Sequence, residues 1–189
     1  MELSRNLTLK SNITFRFVDD QQILGAFLTV FIHNGAYHLT KIAVYADGMI
    51  DCWGLVDFKE FVRKVNSGWV ITTLPDGAEV SVSSQLTSFT ATKILFSVSE
   101  SEFIKEVLDT IEELNERPSS LELFVQAKKN YWNEPNEENQ RLMHEAFEKV
   151  PHHRKKFVTN TSDRKYFKEQ GIKSYDTVWE LNDNGSSDT

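Results

Sequence analysis

Along residues 12–18, Asn-Ile-Thr-Phe-Arg-Phe-Val, the apolar Ile13, Phe15 and Phe17 alternate with Thr14 and Arg16, the two-residue period of a half-buried strand. The polar run Asp19-Asp20-Gln21-Gln22 predicts a turn. Residues 26–33 and 36–46 read as two long strands joined at Asn34-Gly35, and Asp47-Gly48 predicts another tight turn. Short connections favour pairing of sequential strands, so residues 12–54 are expected to form a four-stranded antiparallel meander.

Taken as a two-residue type I′ turn, Asp47-Gly48 pairs Ala46 with Met49, Val44 with Asp51 and Ile42 with Trp53. Side chains alternate along a strand. His38, Ile42, Val44, Asp51 and Trp53 then share one face, with Tyr45, Ile50 and Cys52 on the other. His38, Asp51 and Trp53 thus bring an imidazole, a carboxylate and an indole together as a candidate binding site. The plainer alternative is that Asp51 is a hydrogen-bonded structural carboxylate and Trp53 a packing residue.

The period changes at Asp57. Glu60 follows three residues later as in a capping box, Phe58, Phe61, Val62 and Val65 form one apolar stripe, and Gly68 closes the helix. Strand signals resume at 69–73 and 79–82 around Pro75-Asp76-Gly77, and again between Leu86 and Val98. From Ser99-Glu100-Ser101-Glu102 the pattern is helical: Phe103, Val107, Ile111 and Leu114 recur at helical spacing. Further helices are expected at 121–132, from Asn136 to Val150, and at 164–170. The predicted fold is α+β, an antiparallel sheet of about six or seven strands with one inserted helix and a C-terminal helical layer. The expected organisation is a sheet domain at 1–98, a helical region packed on it at 99–181, and a disordered tail at 182–189.

Composition narrows the function classes. No apolar run approaches the about 20 residues that span a bilayer, and Met1–Arg5 lacks a signal-peptide core, which points to a cytoplasmic protein without membrane contact. The single cysteine, Cys52, fits a reducing compartment. Net charge is −7, and residues 99–189 carry 13 Lys and Arg against 19 Asp and Glu. Nucleic acid is therefore disfavoured as a partner and a basic protein favoured. The sequence leaves the oligomeric state open.

The chain holds no glycine-rich phosphate loop and no dinucleotide fingerprint, so no cofactor is expected. Metal binding is not expected at His144, His152 and His153, because adjacent histidines rarely meet on one ion and Arg154-Lys155-Lys156 opposes a cation. That basic run reads instead as a solvated cap on the preceding helix. Cys52 reads as a small inert hydrophobe. Four Trp, 13 Phe and 5 Tyr are a rich aromatic complement, and Tyr131-Trp132, at a helix end before Asn133-Glu134-Pro135, are the best candidates for exposed binding anchors.

The run Tyr45-Ala46-Asp47-Gly48-Met49-Ile50-Asp51-Cys52-Trp53-Gly54-Leu55-Val56-Asp57-Phe58, with Ser67-Gly68-Trp69-Val70, Asn136-Glu137-Glu138-Asn139 and Ala146-Phe147-Glu148-Lys149-Val150-Pro151-His152-His153, resembles an uncharacterised family of bacterial proteins. The resemblance covers most of residues 12–160. It implies a sheet-forming front half and a helical back half, with no activity, cofactor or catalytic residue attached. In general character the chain is similar to bacterial immunity and antitoxin-like proteins. The expected function is a non-enzymatic protein-binding module, an immunity-type inhibitor of a basic toxin or enzyme. The alternative is an enzyme or small-molecule binder using the face with His38, Asp51 and Trp53.

Overall fold

The structure is a computed structural model that describes residues 12–82, 86–92, 94 and 96–172. The expected tail at 182–189 lies outside these. Two compact units divide the chain, Met1–Ser119 and Ser120–Thr189. The fold is α+β, with eight strands and six helices among the described residues.

In the first unit, β1 (Ile13–Val18), β2 (Gln21–Asn34), β3 (Ala36–Tyr45), β4 (Ile50–Asp51) and β5 (Leu55–Val56) pair antiparallel in sequence order. Asp19 and Asp20, at φ of 47° and 62°, form the two-residue β1–β2 turn. Helix α1 (Phe58–Asn66) follows, then β6 (Val70–Ile71), β7 (Glu79–Val82), β8 (Thr87–Thr90) and helix α2 (Glu100–Leu114). The long β2–β3 hairpin is a spine shared by two sub-sheets. At its open end β1 flanks β2 while β4 and β5 extend from β3; at its closed end β6 flanks β2 while β7 and β8 extend from β3. The sheet is antiparallel as expected apart from the β3–β7 pairing, which is parallel with His38 opposite Ser81.

The 46–49 turn corrects the predicted register. Asp47 does not adopt the positive φ that type I′ requires; only Gly48 does, at 82°, and the Tyr45 N–H donates to Met49 O at 2.9 Å. The loop therefore has three residues, Ala46-Asp47-Gly48, ending in a left-handed glycine. Val44 faces Ile50 and Ala43 faces Asp51, one step from the expected pairing. A one-residue shift exchanges the faces of the second strand. Ile50 and Cys52 join the core with Val30, Ile32, Ile42 and Val44, while Asp51 turns outward.

Helices α1 and α2 cover that core face with Phe61 and Val65, and with Phe103, Val107 and Ile111. Local chemistry starts both. Asp57 accepts from the Glu60 N–H at 2.7 Å, and Ser99 from the Glu102 N–H at 3.4 Å. Helix α2, grouped by its sequence with the helical region after residue 98, belongs to the sheet unit because its apolar stripe is buried there.

The second unit holds α3 (Ser120–Asn133), α4 (Glu137–Lys149), α5 (His152–Lys155) and α6 (Thr161–Glu169) around Phe124, Met143, Phe147, Val150 and Phe167. Asn136 caps α4, and Asn160 with Asp163 forms a reciprocal capping box on α6, which thus begins three residues before the predicted start. The basic run is a separate short helix. Its Lys155 is buried, with Nζ 4.3 Å from the centre of the Phe147 ring, so it is not wholly solvated as expected.

Candidate functional site

The β4–β5 connection, Cys52-Trp53-Gly54, is a three-residue turn held chiefly by backbone and indole hydrogen bonds. The Gly54 N–H donates to Asp51 Oδ1 at 3.0 Å, the Cys52 N–H to Gly54 O at 3.2 Å, and the Trp69 indole N–H to Cys52 O at 3.3 Å. To close it, Trp53 takes φ of 60° and Gly54 φ of 135°. A left-handed backbone costs a residue with a Cβ about 1–2 kcal/mol, and bulky side chains rarely adopt it. The turn thus holds Trp53 in strain.

That strain aims the indole. A regular strand would place Trp53 on the Asp51 face; the positive φ returns it to the face of His38, with ring centroids 5.1 Å apart. Trp69 meets Trp53 edge-on at 6.4 Å, and Lys64 Nζ lies 5.3 Å from the Trp69 ring centre. Trp53 remains 47% exposed. The structure therefore joins His38 to Trp53 and separates Asp51 from both. The Asp51 carboxylate is committed to the turn, on the face of Ala43 and Tyr45, where its charge adds to burial in raising the Tyr45 phenol above its ordinary range. Trp69 and Lys64 were missed by sequence reasoning. The nearby Ser67-Gly68 helix stop was a usable signal that the chain turns back there.

Cys52 is fully buried beneath this turn. Burial pushes its thiol up from the usual value, with Lys64 opposing and Asp51 adding to the shift. A thiol so shielded is poorly suited to nucleophilic work.

In the second unit, Tyr131 and Trp132 lie 5.2 Å apart and both meet Tyr166, each at 5.9 Å. The Tyr166 hydroxyl accepts from Gln140 Nε2 at 2.9 Å and lies 3.1 Å from His144 Nε2. Burial raises the Tyr166 phenol and lowers the His144 imidazole from their ordinary ranges. Trp132 is 52% exposed while Tyr131 is half-buried, so the pair is one exposed ring on a hydrogen-bonded aromatic base. The sequence pattern does not single out Tyr166 or Gln140, and it raises His144 only as a metal ligand, not as a neighbour of Tyr166. The Asn160-Thr161-Ser162-Asp163 capping signal fixes the phase of α6 and so the side on which Tyr166 falls.

Among the described residues, no group of three His, Cys, Asp or Glu side chains is arranged to hold a metal ion, and no helix is long and apolar enough to cross a membrane.

No curated protein and no solved structure matches the chain. A family model described as a domain of unknown function, DUF7638, matches residues 13–118, the whole described sheet unit but for its first and last residues. The chain belongs to the DUF7638 family.

Proposed function

We propose that this chain is a non-enzymatic protein-binding module that presents Trp53 as an anchor, and that it acts as an immunity-type inhibitor of a basic partner. The observation that carries the reading is Trp53 itself: a half-exposed indole kept at a backbone angle that glycine would adopt without strain. Aromatic side chains held rigid at the surface are the usual energetic centres of protein interfaces. The basic partner is supported by the net charge of −7 and by α2, whose sequence has six acidic residues and one lysine. The His38–Trp53 contact favours a second reading, a small ligand stacked on the indole, although Asp51 is not available to it as a partner acid.

The test is capture of the partner by tagged full-length chain from host lysate, read by native mass spectrometry at low and high salt. A stoichiometric basic protein is expected, released by high salt. Trp53→Gly and the Glu112→Lys/Glu113→Lys double variant should lose it, and Asp51→Asn should keep it. A chain carrying only a small molecule, or a partner indifferent to both variants, refutes the proposal.

A further inference from the structure

Among the described residues, strand β1 ends the sheet, and none of them pairs with its outer edge. The Phe27 N–H donates to Asn12 O at 2.8 Å, so the even-numbered residues of β1 spend their backbone groups on β2. The N–H and C=O groups of Ile13, Phe15 and Phe17 therefore point outward from the sheet.

The same three residues carry the exposed side chains. Ile13, Phe15 and Phe17 are 48%, 51% and 65% exposed, and Leu24, opposite Phe15 on β2, is 40% exposed. This corrects the sequence expectation that the apolar side of the strand is the covered one. Natural edge strands are commonly guarded by a charge, a proline or a bulge. Here β1 has no proline and pairs with β2 without interruption. Its single charge, Arg16, faces the other side, where it binds Asp47 and lies 5.2 Å over the Tyr45 ring.

We infer that β1 is a homodimer interface, pairing antiparallel with β1 of a second copy about a two-fold axis at Phe15. The choice of occupant comes from the strand's own symmetry. Only registers that oppose odd residues join the outward backbone groups of both copies. The register centred on Phe15 pairs it with its own counterpart and Ile13 with Phe17 on each side, giving six backbone hydrogen bonds and three apolar cross-strand pairs. It also sets Arg16 against Thr14. The register centred on Arg16 would oppose two like charges, and that centred on Thr14 would leave Phe17 without an apolar partner. Such an interface is isologous and closes at two copies. The exposed side-chain surface is on the order of 300–400 Å² per copy, at the low end of specific interfaces. The dimer is accordingly weak, formed at about 100 μM and dissociated near about 1 μM.

The test is sedimentation velocity of the full chain across that concentration range. Mass rising from monomer to dimer is expected. Phe15→Lys and Phe15→Glu should each be monomeric, since like charges would meet at the axis, and their equimolar mixture should recover the dimer because position 15 faces itself. Phe17→Lys, at the more exposed position, should also be monomeric and guards against a folding defect at 15, with circular dichroism checking all three. A wild-type chain that stays monomeric, a dimer that survives Phe15→Lys, or a mixture that fails to recover overturns the inference.

Discussion

Gly25 lies within the longest strand, opposite Tyr45, and the Tyr45 ring occupies the space where a side chain would begin. A Cβ at Gly25 would lie 2.6 and 2.9 Å from Tyr45 Cδ1 and Cε1, and 3.0 Å from the Val44 carbonyl oxygen. The ring has little freedom to retreat, because Tyr45 is 7% exposed and the Arg16 guanidinium rests on its face. Two opposing effects decide the outcome of Gly25→Ala. Removing a glycine from a strand interior is ordinarily worth about 0.5–1 kcal/mol, whereas forcing a side chain into occupied space costs about 1–3 kcal/mol. The clash wins, so Gly25→Ala should destabilise the sheet unit by about 1–2 kcal/mol. In a Tyr45→Ala background the obstruction is gone and the same substitution should become neutral or stabilising. The coupling across this double-mutant cycle should then be about 2 kcal/mol. Urea unfolding followed by tryptophan fluorescence measures each corner. Equal effects of Gly25→Ala in the two backgrounds would refute the account.

Four further outcomes test other parts of the structure. Asp163 receives Lys128 Nζ at 2.8 Å and the Asn160 N–H at 2.9 Å with its side chain only 5% exposed, so Asp163→Ala should cost the helical unit about 3 kcal/mol or more in urea melts. Asp57→Ala removes the cap of α1 and should cost about 1 kcal/mol in the same assay. Cys52, buried with its thiol pushed up, should resist a disulfide reagent in the native chain and react fully in denaturant. His144 is held below its ordinary range by burial, with Glu148 opposing. The unfolded chain then binds the proton more readily, so this contribution to stability is present above the unfolded value and is lost as pH falls towards the depressed one. NMR titration of the ring should show the lowered midpoint, and His144→Gln should flatten that part of the stability profile.

The parts of the fold legible in the sequence are those specified within a few residues. Asp57, Ser99 and Asn136 mark real helix starts because a cap is a contact between neighbours three apart. The Asp47-Gly48 turn was located correctly, yet its length was not, since two- and three-residue loops share the same glycine signal and differ in whether Asp47 takes positive φ. That single step decided which of Ile50 and Asp51 is buried. Alternation in β1 was equally ambiguous: it shows that two faces differ without showing which one is covered. The β3–β7 pairing joins segments with no local signature of each other. His38 and Trp53 meet despite the shifted register because the strained Trp53 backbone restores the ring to that side.

The shared β2–β3 spine also sets an order of assembly. Its two strands are neighbours in sequence, joined by a tight turn at Gly35, so the hairpin can close early at small entropic cost. Docking β7 beside β3 must instead close a loop of about forty residues that contains α1 and β6, a non-local step that comes late. Folding should nucleate along the hairpin and reach β7 and β8 last. In the native chain, amide exchange should therefore find that corner opening first, while the amides joining β2 to β3 exchange only with unfolding of the whole sheet unit.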